Sequence, residues 1–192
     1  MLILASQSPR RRELLTMLGV DFTVITADID ETMDPALLPE QEVARVCAAK
    51  AAAVGTSHPD DLILAADTIV VLDNRVLGKP HSPEEAAQML RALSGRTHRV
   101  MTGFCLYRNG QADTHVEITA VTFRTLSEEE IQAYIATGSP MDKAGAYGIQ
   151  EQAGIFVRSV EGDYYNVIGL PICPLAVFLR QQGVAVLGTV SS

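Results

Sequence analysis

An α/β fold with a mixed, twisted sheet flanked by helices is predicted by three features of the sequence. Helical and strand-like patterns alternate through the first half of the chain, the order that lays helices over neighbouring strands. The run Leu62 to Leu72 is apolar apart from Asp67 and Thr68, as a strand buried on both faces requires. Asn109-Gly110 and Glu161-Gly162-Asp163 each lie between strand-like runs, and such turns close antiparallel hairpins. A wholly parallel sheet is therefore disfavoured.

Each element has a local reason. Met1 to Ala5 is a short apolar strand. Ser8 before Pro9 is an N-cap followed by proline in the first helical position. Leu14, Met17 and Leu18 continue that helix until Gly19, which can end it in the left-handed conformation. Phe22 to Asp28 reads as a strand. Glu40 to Val54 reads as a helix with Val43, Val46, Cys47, Ala51 and Val54 on one side. Ser82-Pro83-Glu84-Glu85 is a capping box opening a helix that closes at Gly95. Arg99 to Tyr107 and Gln111 to Arg124 are the arms of the Asn109-Gly110 hairpin. Ser127 and Glu130 form a second capping box, with a helix stopping at Gly138. Ile155 to Val160 and Tyr164 to Ile168 are expected as a second hairpin, and Pro174 to Gln182 as a last helix.

A length of 192 residues suits one domain, or one domain split into two lobes. No repeat, low-complexity tract or long linker interrupts it, so residues 1–192 read as a single domain. A chain of that size buries about 70% of its unfolded surface and folds without a covalent staple. With 47% hydrophobic and 20% charged residues the profile is globular, which excludes a disordered tail, a collagen or a coiled coil. The net charge of −8 disfavours a nucleic-acid polymer as partner. No stretch approaches the roughly 18 apolar residues of a membrane span, and the start runs from apolar to basic, the reverse of a secretory signal. Cys47, Cys105 and Cys173 are odd in number and far apart. They read as core thiols of a soluble cytoplasmic protein.

Function is sought where local rules break. Arg10, Arg11 and Arg12 crowd the first turn of a helix, where a cation is unfavourable by roughly 0.3–1 kcal/mol. A bound polyanion would remove the conflict, since free N–H groups, arginines and the hydroxyls of Ser6 and Ser8 would converge on it; a solvated basic helix start is the plainer alternative. Asp67 within its apolar strand is costly unless paired. That points to catalysis or metal binding, against a strand-end carboxylate that caps a loop. Lys50 falls in an apolar helical stripe, from which its ammonium could also snorkel to solvent. Lys79 in Gly78-Lys79-Pro80 presents a cation from a loop. Asp28, Asp30, Glu31 and Asp34 cluster after a strand. They are either solvated turns or hard oxygen ligands for magnesium or manganese. P-loop, zincin and nucleophile-elbow motifs are absent, and the four histidines are scattered.

Ala5-Ser6-Gln7-Ser8-Pro9-Arg10-Arg11, Asp30-Glu31, Lys50-Ala51, Ala66-Asp67-Thr68, Lys79-Pro80, Asp142 through Gln150 and Val167-Ile168-Gly169-Leu170-Pro171 occur in the order of Maf proteins. The chain resembles that family over nearly its whole length. It departs at Ala49, where relatives often carry glutamate, and at Gly78, where some do; neither position is assigned a role. The resemblance implies a Maf/ITPase-like fold of two lobes around a central cleft. It also implies hydrolysis of a nucleoside triphosphate to the monophosphate and pyrophosphate with a divalent cation, Mg2+ or Mn2+, in a homodimer. Proteins of this family were once described as septum formation inhibitors, so a non-catalytic nucleotide-binding regulator of cell division is a second reading. An unrelated α/β phosphotransferase or phosphatase, acting on monophosphates with no pyrophosphate product, is a third.

By the same resemblance Asp67 is the general base, and Arg10, Thr68 and Gln150 match the positions that separate subfamilies. Arginine, threonine and glutamine there resemble the branch acting on dTTP and UTP, whereas the 7-methyl-GTP branch tends to carry tryptophan, glutamine and glutamate. On this reading Arg11, Lys50 and Lys79, with Ser6, Arg10 and Arg12 at the helix start, neutralise the phosphates. Glu31 and Asp67 would hold the cation. A carboxylate amid cations is a weak base, so acidification of the water by the cation would share that work. Gln150 carries a donor and an acceptor on one amide, matching N3–H and O4 of thymine or uracil; a flipped amide equally suits cytosine.

Overall fold

The three residues Leu2–Leu4 (β1) are buried without exception. The structure is a computed structural model that describes residues 1–34 and 36–188. In chain order the further elements are α1 (Pro9–Met17), β2 (Thr23–Val24), α2 (Pro39–Gly55), β3 (Leu62–Leu72), β4 (Arg75–Leu77) and α3 (Pro83–Leu93). They continue with β5 (Thr97–Arg108), β6 (Gln111–Phe123), α4 (Glu128–Ala136), β7 (Val157–Glu161), α5 (Tyr164–Ile168) and α6 (Ile172–Gln181). The strands form one mixed sheet in the order β2-β1-β3-β5-β6-β7, with β4 also on β3. β1 is parallel to β2 and β3, whereas β4 is antiparallel to β3 and β7 to β6. The α/β class and the mixed sheet expected from the sequence are both present.

The chain divides into two compact units. The first takes Met1–Asp67, Thr102–Glu117 and the chain from Gly169 on; the second takes Thr68–Met101 and Ile118–Ile168. In the first unit α1 leads from β1 to β2 on one side, and α2 leads back to β3 on the other. That reversal makes β1 and β3 a topological switch point, and ligands of open α/β sheets gather beyond the carboxyl ends of such strands. Ile3, Ala5, Cys47, Ala51, Val54, Ile63, Ala65 and Cys105 form the core beneath. Gly103 lets α2 lie close on β5: a Cβ there would stand 2.9 Å from the Val43 carbonyl oxygen and 3.2 Å from Cys47 Sγ. Burial pushes the Cys47 thiol up to about 12, which makes it inert. Cys173 corrects the expectation of three core thiols, because it lies on the exposed side of α6.

Three further expectations change. The strand at Phe22 to Asp28 shrinks to Thr23–Val24, because β1 offers only three residues and the last bond of the ladder is Ile25 N–H to Leu4 O, 3.2 Å. The second hairpin is not formed: β7 is followed by the helix α5. Asp163 Oδ1 accepts the N–H groups of Tyr165 (2.7 Å) and Asn166 (3.2 Å), so the aspartate acts as a helix cap rather than a turn residue. The buried Asn166 then donates to Val100 O and Thr119 Oγ1. At Ser82 half of the capping box forms: Ser82 Oγ accepts from Glu85 N–H, but the Glu85 carboxylate takes the His81 N–H instead, at 2.7 Å. The box at Ser127 and Glu130 is complete. Sequence reading also passed over β4, whose turn residues Asp73 and Asn74 have φ of 50° and 60°.

The second unit has its own core, which includes Val70, Leu90, Leu93, Val100, Phe123, Ile131 and Phe156. Within it His98 is 2% exposed, bonded through Nε2 to Tyr147 Oη at 2.7 Å and set edge-on to Phe123. Among the described residues its Nδ1 has no partner, and burial lowers its pKa to about 4. Between that value and the ordinary 6.5 the unfolded chain binds a proton that the folded chain does not. Stability therefore falls as pH drops through this window, by up to roughly 3 kcal/mol. Urea melts at pH 7 and pH 4 should show His98→Phe losing less stability than the parent chain. An equal loss in both proteins would mean that His98 plays no part.

Candidate active site

Five of the residues singled out from sequence come together in the first unit, just past the carboxyl end of β1 and beside the middle of β3, where the pairing of the two strands ends. The ladder between these strands runs Leu2↔Leu62, Ile3↔Ile63 and Leu4↔Leu64 and ends with Ala5 N–H on Leu64 O at 2.7 Å. Ser6 lies two residues past β1, and Asp67 lies within β3 three residues past its last pairing with β1. Ser8 caps α1 by accepting the Arg11 N–H, with Pro9 in the first turn. That cap points the helix start, with Arg10, Arg11 and Arg12, at the same end of the sheet.

Arg11 is held by two anchors. Its Nε donates to Gly169 O at 2.9 Å and its Nη1 to Ser6 Oγ at 3.2 Å. Burial lowers the Arg11 pKa, and the charges of Asp67 and Glu31 oppose that shift. The guanidinium is thus a fixed cation facing carboxylates. Gly169 has φ of 128°, a backbone state that glycine adopts at little cost. This gives the Gly169-Leu170-Pro171 motif a physical role, since its first carbonyl orients the arginine. Arg10 is half-buried and Arg12 exposed.

Lys50 does not snorkel. It leaves α2 between the buried Val43, Val46, Cys47, Ala51 and Val54. Its Nζ then stands 2.8 Å from Asp67 Oδ1 and 3.1 Å from Glu31 Oε2. Lys50 and Asp67 are mostly buried, at 16% and 18% side-chain exposure, while Glu31 is 56% exposed. Other members of the acidic cluster build the loop. Asp30 Oδ1 accepts the Thr32 N–H and Asp34 Oδ1 the Ala36 N–H, as aspartates in turns do. Among the described residues no group of three or more histidine, cysteine, aspartate or glutamate side chains gathers as a metal nest. Two carboxylates do meet at one ammonium, and that donor set suits a hard cation completed by phosphate and water oxygens.

Sequence reading missed a support of this loop. Glu42 is 2% exposed and pairs with Arg45 through both oxygens, at 2.5 and 3.1 Å. Arg45 Nη2 also donates to Thr32 O at 2.9 Å, and Glu42 accepts from the Asp34 backbone. One buried acid on α2 thus ties down the loop that carries Glu31. The signal was a glutamate on the apolar side of a helical pattern, three residues before an arginine.

The second unit holds Thr68, Lys79 and Gln150. Thr68 is half-buried, directly after Asp67 in β3. Lys79 is exposed in the loop after β4. Gln150 is exposed in a turn, and its neighbours are anchored by a lysine to which the sequence reading assigned no role. Lys143 is 6% exposed. Its Nζ donates to Ser139 O and Asp142 Oδ1, both at 2.7 Å, and pairs with Glu151 Oε1 at 3.1 Å. Gly148 leaves room for it, since a Cβ there would stand 2.7 Å from Lys143 Cε.

The Maf-like protein family model matches residues 1–182. A "dTTP/UTP pyrophosphatase" of Moorella thermoacetica is 51% identical over 192 residues, covering 98% of each chain. Proteins of the same name from Bacillus velezensis and Bacillus cytotoxicus are 48% and 49% identical, over 94% and 93% of this chain and 95% and 94% of their own. With a switch-point site built on the residues that carried the resemblance, and relatives matching from end to end, this chain belongs to the Maf family.

Proposed function

We propose that this protein hydrolyses nucleoside triphosphates, dTTP and UTP foremost, to the monophosphate and pyrophosphate. The observation that carries the reaction is the meeting of Asp67, Lys50, Glu31 and Arg11 past the carboxyl end of β1, where its pairing with β3 ends; the printed names of its relatives carry the substrate. Asp67 accepts a proton from water as its oxygen bonds to the α-phosphorus. The bond from that phosphorus to the bridging oxygen breaks, and pyrophosphate leaves. Arg11, held by Ser6 and Gly169, and Lys50 stabilise the charge that gathers on the phosphate oxygens. The free N–H groups at the start of α1, with Arg10 and Arg12, extend this cradle.

Glu31 and Asp67 would hold a magnesium or manganese ion. When bound it supplies Lewis-acid polarisation of the phosphate and lowers the pKa of the water. Lys79 as a further phosphate cation, and Arg10, Thr68 and Gln150 as readers of the base, complete the proposal on the strength of the family resemblance. The three free cysteines are consistent with a reducing, cytoplasmic location. The resemblance also carries a single functional domain and a homodimer.

The decisive experiment is a pyrophosphate-release screen over common and modified nucleoside triphosphates, with magnesium, with manganese and with chelator. Metal-dependent release ranked dTTP and UTP over purines is expected. Release from purines first would discard the base assignment and keep the chemistry. Silence with nucleotide binding retained would favour a regulator. Gln150→Glu replaces the amide donor by an acceptor and should narrow the preference for UTP over CTP by roughly tenfold to a hundredfold. An unchanged ranking would take Gln150 out of base recognition.

A further inference from the structure

Lys50 touches both proposed cation ligands. Its Nζ lies 2.8 Å from Asp67 Oδ1 and 3.1 Å from Glu31 Oε2. The side chain is mostly buried and its stem is fixed between apolar neighbours on α2. Without that ammonium the two carboxylates would face each other with the Arg11 charge acting on both from a fixed place. Leaving one partner of such a pair without its counter-ion is costly.

A triphosphate with its cation changes which partners are best. The carboxylates gain more from a divalent ion than from an ammonium, and the ammonium gains more from phosphate oxygens than from carboxylates already neutralised. From this geometry we infer that Lys50 is a resident counter-ion whose place is exchanged. In the free protein it neutralises Glu31 and Asp67, and it transfers to the phosphates as the divalent cation takes the carboxylates. The exchange rests on the cation site proposed above and adds a coupling to it. The cation binds weakly alone and tightly with the triphosphate, and by linkage each raises the affinity for the other equally. A site so coupled withholds the metal from Asp67 until substrate is present.

The inference makes an expectation opposite to that for an ordinary ligand-site lysine. With nucleotide absent, Mn2+ binding is titrated at pH 7.5 by the paramagnetic resonance signal of the free ion. The intact protein should bind weakly. Lys50→Met should bind at least tenfold more tightly, although it loses turnover. Lys50→Arg, which keeps the charge, should stay as weak as the parent, and adding Glu31→Gln to Lys50→Met should abolish the gain. Thermal melts establish that each variant is folded, and Lys50→Gln carries the same expectation if the methionine variant is not. Equal or weaker Mn2+ binding by the neutral variants would overturn the exchange, as would a gain that survives Glu31→Gln. This titration reads the cation alone and the pyrophosphate screen reads the reaction, so the failure of one is distinguishable from the failure of the other.

Discussion

Asp67→Asn should lower pyrophosphate release by about a thousandfold or more while the protein melts within a few degrees of the parent. A positioned general base contributes roughly 10²–10⁴ in rate, and Asp67 is also one of the two carboxylates proposed to hold the cation. Asparagine keeps the shape and can still accept a bond from Lys50 Nζ, which now lies 2.8 Å from Oδ1. It cannot take a proton from water at neutral pH. Folding changes little because the packing of β3 around position 67 is made by Leu64, Ala65, Ala66, Ile69 and Val70, all buried. The readout is single-turnover release of pyrophosphate from UTP, beside a melting curve. Retained turnover would remove Asp67 from the chemical step. A collapsed melting curve would instead assign it a structural role.

Arg11→Lys should cost about a hundredfold or more in kcat, with a smaller change in KM. The charge is conserved, so the prediction isolates geometry. Arg11 spends Nε on Gly169 O and Nη1 on Ser6 Oγ, and the rest of its planar fork faces the site with a fixed orientation. A lysine has one nitrogen, which cannot satisfy both anchors and still point at a phosphate. Loss of one preorganised donor for transition-state charge costs roughly 10²–10³. If Arg11 merely binds the ground-state triphosphate, KM should rise and kcat should stay. Steady-state kinetics on UTP separates these outcomes.

The two predictions differ in how far sequence alone could reach. Asp67 was legible because an ionisable group in an apolar run is a local contradiction, visible without any partner. Lys50 was legible in the same way, but snorkelling explained it equally well, and the choice lay with Asp67 and Glu31, 17 and 19 residues away. Arg11 was visible as misplaced charge at a helix start. Its orientation depends on a carbonyl 158 residues further along the chain. No local pattern encodes that bond; it exists because the chain returns past α1 before entering α6. Glu42 and Arg45 were overlooked for a related reason. A buried acid three residues from an arginine looks like a helix-surface pair until the loop 30–34 closes over it.

What the sequence determined by itself is the set of elements whose stabilising bonds close within a few residues. Ser8 and Ser127 cap their helices, Asn109-Gly110 turns its hairpin with φ of 52° and 78°, and the apolar run at Leu62–Leu72 is a buried strand. Such signals are short-ranged and survive in any context that permits them. Tertiary structure alone decided where strand pairing stops, as at Thr23–Val24, and what Asp163 does when two N–H groups need an acceptor. It also decided that Lys50 meets two carboxylates instead of solvent. Those outcomes depend on which groups remain unpaired once distant segments have come together, and burial penalises a group that finds no partner.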